Sequence, residues 1–159
     1  MFDVFCCYYN LAIMYITRSF KLSETDLESA RKEAINKSRS AAFLLREMKD
    51  KYFKDFMNCN FVDTAFPHLD ILESISQGLI YKCLFEIKKE DEYKVGISKI
   101  AAICGAAARF YYKAYSVAET YFMNPCGISD KTKSEIMALT YFESLYLDVM
   151  TNMRYSKHY

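Results

Sequence analysis

The chain has no tryptophan, and only four glycines, two prolines and two histidines in 159 residues. So few backbone breakers exclude a fold of short strands and tight turns. They leave long uninterrupted elements, and long elements are helices. Histidine chemistry has little to work with. His68 sits beside Pro67 at a helix start and His158 is next to last, and both read as surface histidines of a loop or terminus. Six cysteines are present (Cys6, Cys7, Cys59, Cys83, Cys104, Cys126), but none forms C-x-x-C, so metal-ligand spacing is absent. Four of them fall in apolar helical pattern, where a free thiol acts as a small hydrophobe, and a reducing compartment without disulfides is expected. An excess of one charge is also missing. Lys and Arg number 21 against 20 Asp and Glu, a net +1. The strongly basic face of a nucleic-acid binder is not there.

A long hydrophobic run is lacking as well. The opening "FDVFCCYYNLAIMY" (2–15) is broken by Asp3 and Asn10 and ends in "TRSFK". It is too short for a membrane span, and it lacks the basic lead and small-residue cleavage site of a signal peptide. It reads as a helix of about 2–19, apolar nearly all round and therefore buried on most sides.

What is present is 52% apolar residues, with 14 Tyr and 12 Phe. A second helix runs through "KLSETDLESARKEAINKSRSAAFLLREMKDKYFKDF" (21–56). Thr25 and Glu28 form a capping box at its start, with Ser23 as a rival cap. Leu27, Ala30, Ala34, Ser38, Ala41, Leu45, Met48, Tyr52 and Phe56 share one face, small residues first and large ones later. A loop follows, "MNCNFVDTAFPHLD", with Pro67 in the first turn of the next helix and Thr64 or Asp63 upstream. The third helix (about 67–89) puts Ile71, Leu72, Ile75, Leu79, Cys83 and Phe85 in the core. "KKEDE" (88–92) is a solvated break. The fourth helix (about 92–122) aligns Ile97, Ile100, Cys104, Ala107, Tyr111, Ala114 and Ala118. Within it Gly96 and Gly105 each cost about 1 kcal/mol relative to Ala. Gly105 and its flanking alanines read as a close helix–helix contact. "NPCGISD" (124–130) turns the chain, and Ser129 or Asp130 caps a fifth helix (about 130–155) whose core candidates are Ile136, Leu139, Tyr141, Phe142, Leu145, Val149 and Met153.

The fold class is thus all-α, about five long antiparallel helices in one domain over 1–159, as stacked tetratricopeptide-like hairpins or a bundle, without a strict 34-residue repeat. No nucleotide, nucleophile-elbow or zinc-protease motif occurs, and Glu33 and Glu47 lie too far apart on their helix to cooperate. No catalytic residue, metal ligand or cofactor is expected. "RFYYKAY" (109–115) mixes cations and aromatics as single-strand nucleic-acid platforms do, but on a helix it reads as packing with hydroxyls reaching water. A protein-binding surface is what remains.

Four stretches in order, "YYNLAIMY", "ARKEAINKSRSAAFLLREM", "LDILESISQGLIYKCLFEIKK" and "GISKIAAICGAAARFYYKAYSVAE", resemble the middle of the BRO-one domain, the boomerang-shaped helical domain of Alix, rhophilin and their relatives. The resemblance spans roughly 2–155 and rests on the order of elements rather than on one motif. The family domain is longer at both ends, and "SISQGLIYK" replaces its Ala-Gln-rich segment. The resemblance implies a non-enzymatic, cytoplasmic adaptor, endosome-associated only through partners. Its partner would be the C-terminal amphipathic helix of an ESCRT-III subunit. It implies a patch in which Leu84 (or Cys83) and Ile100 hold apolar positions and Lys88 stands nearby. Gly96 falls where the family has a large aliphatic residue, with Ile97 beside it as a substitute. Apolar surface left uncovered by a shortened domain is an expected site of self-association. The other reading is a generic helical-repeat module with an unrelated protein partner.

Overall fold

The computed structural model describes residues 2–56 and 65–156, with the side chains of 53–56 undescribed. Among these residues every regular element is helical. Five long helices, α1 (Phe2–Ser23), α2 (Glu28–Phe56), α3 (Phe66–Lys88), α5 (Ile97–Phe122) and α6 (Asp130–Ser156), are joined by short links. A 3-10 turn (Lys89–Asp91) and the one-turn helix α4 (Glu92–Val95) intervene between α3 and α5. The all-α class is what the scarcity of Gly and Pro dictates.

The helices form an open row. Extensive contacts join α1 to α2, α2 to α3, α3 to α5 and α5 to α6, with a minor one between α1 and α3. Neighbours run antiparallel, as the paired residues show. Phe5 meets Tyr52 across α1–α2. Lys49 meets Asp70 while Arg31 meets Glu86 across α2–α3. Cys104 donates to the Leu147 carbonyl, and Tyr115 stacks near Tyr141, across α5–α6.

Three apolar clusters fill the row. One joins Phe5, Ala12 and Ile16 of α1 to Ala41, Leu45 and Met48 of α2 and Leu69 and Leu72 of α3. A second sets Ala34 and Ile35 against Leu79, Ile80 and Cys83. The third and largest gathers Ile71, Ile75 and Phe85 around Ile100, Cys104, Ala107, Tyr111, Ala114 and Ala118. The expected cores of α3 and α5 are therefore buried, Ile97 excepted, which is half-buried. In α2 the stripe Ala34–Ser38–Ala41–Leu45–Met48 is buried, but Leu27 lies outside the helix and is exposed.

Several local expectations are corrected. The Thr25 hydroxyl donates to the Leu22 carbonyl and the Ser23 hydroxyl to the Phe20 carbonyl. Both close the end of α1, so neither forms the expected cap of α2. Helix α1 buries only Phe5, Ala12, Ile16 and Ser19. It sits at the end of the row, so Tyr8, Tyr9, Ile13, Tyr15 and Phe20 are only partly covered, and Phe2, Val4 and Met14 stay exposed. The expected fourth helix is interrupted at Gly96, whose φ of +89° suits glycine and breaks the helix after Val95. His68 is buried rather than exposed, held by the Tyr9 hydroxyl at 2.9 Å from Nε2. Pro67 does lie in the first turn of α3. Ser129 caps α6, accepting from the Thr132 amide at 3.2 Å. Cys59, Asp63, Thr64 and His158 lie outside the described residues.

At the centre, the Tyr111 ring packs directly against Gly78. A Cβ at Gly78 would come within 2.9 Å of the ring carbons. Tyr111 is wholly buried and cannot swing aside. Its hydroxyl makes no protein hydrogen bond among the described residues, and burial, with the Glu143 carboxylate nearby, pushes its pKa well up.

Two stability outcomes follow from this contact. Gly78→Ala should destabilise the fold by about 1–3 kcal/mol in urea melts, because overpacking outweighs the gain of about 1 kcal/mol in helix propensity. Tyr111→Phe should be neutral or stabilising by up to about 1–2 kcal/mol, since it removes a buried, unpartnered hydroxyl. A clear loss on Tyr111→Phe would contradict that assignment.

Candidate functional site

Helix α6 carries the least expected arrangement. Its inward face is Thr140, Ser144, Leu147 and Thr151. Leu147 joins the main core cluster, and the other three are small and hydroxylated, with hydroxyls satisfied within the helix: Thr140 donates to Ile136, Ser144 to Tyr141 and Thr151 to Leu147. They admit a close approach of α5, where Gly105 faces Thr151 Cγ2 at 3.4 Å from the place of its Cβ. Gly105 is thus the close helix contact expected of it. The large apolar residues of α6 consequently point out. Tyr141, Phe142, Leu145, Tyr146, Val149, Met153 and Tyr155 are all exposed. Of the core expected for this helix, Ile136 packs against the interior, but Tyr141, Phe142, Leu145, Val149 and Met153 do not.

Between α5 and α6 lies an open groove of about 700 Å3. Gly105, Ala108, Ser144 and Thr151 line it with small side chains. Tyr112, Val117 and Leu145 add apolar surface, and Arg109, Lys113 and Asp148 add charge. Arg109 and Lys113, four apart on α5, form no ion pair among the described residues. One end is bordered by an aromatic ladder, Tyr112–Tyr115–Tyr141–Phe142, with centroids 6.4, 5.1 and 6.3 Å apart. Its shape and lining suit the apolar face of a helix, with a cationic edge for a carboxylate.

A smaller groove of about 340 Å3 runs between α2 and α3, lined by Arg39, Phe43, Arg46, Ile80, Tyr81 and Leu84 among others. Phe43 is exposed there. Arg46 is held by Glu73 at 2.9 Å, and Tyr81 stacks on Phe110 of α5 at 5.6 Å.

The residues expected to form one partner patch, at the end of α3 and the start of α5, differ in exposure. Ile100 has no exposed surface and belongs to the α3–α5 core, and Cys83, 1% exposed, belongs to the α2–α3 core. These two cannot offer surface to a partner, because the antiparallel neighbours close over them. Leu84 and Lys88 are half-buried near the end of α3, and Ile97 is half-buried at the start of α5. Gly96 is exposed, with nothing within 4 Å of a Cβ position, so no anchor stands there. Leu84 lines the groove between α2 and α3.

Comparison with family models, curated proteins and solved structures finds no match to this chain. The site is therefore defined by its geometry alone. Among the described residues no group of three or more His, Cys, Asp or Glu is placed to hold a metal ion, and no helix is long and apolar enough to cross a membrane.

The outward stripe of α6 was hidden from sequence reading by its own strength. An apolar stripe normally marks the inner face. The counter-signal was Thr140, Ser144 and Thr151, a second stripe of small residues around Leu147 that matches Gly105 and Ala108 on α5.

Thiol accessibility separates these placements. Cys7 is exposed, whereas Cys83 and Cys104 are buried. Burial pushes the Cys83 thiol up to about 11 and raises that of Cys104 as well. At pH 8 the folded protein should be labelled at Cys7 by a thiol reagent, with Cys83 and Cys104 modified only after unfolding, as peptide mass spectrometry would read. Labelling of Cys83 in the folded state at the rate of Cys7 would show that the α2–α3 cluster is open.

Proposed function

We propose that this chain is a non-enzymatic protein-interaction scaffold that receives an amphipathic helix of a partner protein in the groove between α5 and α6. The groove itself carries the reading. It has a small-residue floor, apolar walls and two unpaired cations along one edge. A helix laid there would bury its apolar stripe on Tyr112, Val117 and Leu145 and turn an acidic edge toward Arg109 and Lys113.

The partner class comes from the resemblance to BRO-one domains. On that reading the row of helices corresponds to their tetratricopeptide-like core, the ligand is the C-terminal helix of an ESCRT-III subunit, and the protein works in the cytoplasm, meeting endosomal membranes through its partners. Leu84 of the expected patch lines a concave surface, the α2–α3 groove. A helical-repeat module with an unrelated helical partner is the coarser form of the same proposal.

Titration of labelled ESCRT-III C-terminal helices, with an unrelated amphipathic helix as control, tests the assignment by fluorescence anisotropy. Tyr112→Asp should weaken binding at least 10-fold, the loss expected for an aromatic anchor, and Lys113→Glu by a few-fold. Leu84→Asp should leave it within two-fold. Loss on Leu84→Asp with indifference to Tyr112→Asp would move the site to the α2–α3 groove. No binding of any helix at high micromolar concentration would overturn the proposal. Ile100 is unsuited to the test, since a charge at a wholly buried position disrupts the fold.

A further inference from the structure

The two ends of the row differ in chemistry. The outer side of α1 presents Asp3, Cys7, Asn10, Met14, Thr17 and Lys21, all exposed, a mostly polar surface in which a single large apolar side chain stands. A terminal element of a stacked helical array needs such a face. The outer side of α6 presents the reverse. Phe142, Tyr146, Val149 and Met153 recur at four-, three- and four-residue spacing, and they are 69, 50, 56 and 53% exposed respectively. No charged residue interrupts this stripe between Ala138 and Met153. Glu143, Asp148 and Arg154 project from other sides: Glu143 pairs with Lys82 of α3, Asp148 lines the groove with α5, and Arg154 lies over the Phe85 ring.

We infer that this face is the contact between two copies of the chain, an isologous pair in which α6 lies antiparallel to the partner's α6. Three observations choose a second copy as the occupant. First, an uncharged stripe is complementary to itself, because no like charges meet across a two-fold axis. With the axis between Tyr146 and Val149, Phe142 faces the partner's Met153 and Tyr146 faces the partner's Val149. Secondly, the area suffices. These four side chains expose on the order of 500 Å2, so two copies cover on the order of 1,000 Å2, the size of a weak, reversible interface. Thirdly, the mostly polar outer side of α1 is no match for the α6 stripe. Head-to-tail stacking, which would generate an open filament, is disfavoured, and the association closes at two. The groove between α5 and α6 lies on an adjacent side of α6, so the dimer presents two grooves. A partner offering two helices would gain from binding both.

Sedimentation equilibrium on the full chain over a wide concentration range tests the inference. A mass of twice 18.6 kDa, dissociating on dilution, is expected. Val149→Glu, and separately Phe142→Glu, should weaken dimerisation at least 10-fold while the helical circular dichroism and thermal midpoint stay as in the wild type, because both positions are exposed. Met14→Glu on the outer side of α1 should leave the mass unchanged. A wild-type chain that stays at 18.6 kDa up to millimolar concentration, a dimer indifferent to both α6 changes, or growth into higher oligomers would each overturn the inference.

Discussion

The seating of the Tyr111 ring on Gly78 is the contact on which the rest of the molecule depends. Helix α3 is the most buried element, with twelve residues withdrawn from solvent, and α5 follows with nine. An aromatic ring can lie at their crossing only because Gly78 has no side chain. Cys104, Ala107, Ala114 and Ala118 keep the rest of α5 narrow, so the helix can lie close to α3 while Thr151 of α6 approaches Gly105 from the other side. Small residues on α5 therefore set both spacings at once, and the groove beside them is the space left over.

Ion pairs lock this arrangement from the outside. Lys49 reaches Asp70 at 2.6 Å and Glu73 at 2.5 Å. Burial alone would lower its pKa, but the hydrogen bonds to the two carboxylates outweigh that and hold the ammonium above its ordinary range. Lys82 pairs with Glu143, joining α3 to α6 across the flank of α5. Arg154 lies 4.7 Å from the centre of the Phe85 ring and 3.5 Å from Glu92, which ties the end of α6 to both α3 and α4. These partly buried pairs set register more than they add stability. They also draw the charges of α6 away from its outer stripe, which leaves that stripe bare.

Much of the fold was legible in the residues. Few breakers meant long helices, and the bounds of the third and fifth fell within a residue or so of those expected, while the second and fourth begin later, at Glu28 and Ile97. The cores of α2, α3 and α5 followed from their periodicity, because each of these helices has neighbours on two sides and most of its apolar residues find cover. The same rule failed at both ends of the row. Helix α1 was expected to be buried on most sides, and the stripe from Tyr141 to Met153 was expected to face inward. Each end helix has a neighbour on one side only, and periodicity does not say which of two candidate faces that neighbour takes. The patch expected around Cys83, Leu84, Lys88, Ile97 and Ile100 lost two of its members to the core for a related reason. Closeness in sequence and a family likeness do not reveal that antiparallel neighbours close over Cys83 and Ile100.

The sequence by itself determined the helical class, the breaks at "KKEDE" and "NPCGISD", and the inner faces of the central helices, because backbone preference and helical period are local properties. Only the tertiary structure decided that Gly78 receives Tyr111, that Gly96 ends a helix rather than sitting inside one, and that α6 turns its threonines and serine inward. Those outcomes depend on how closely two helices approach. That distance is set by both partners together, and it left an apolar stripe of α6 exposed.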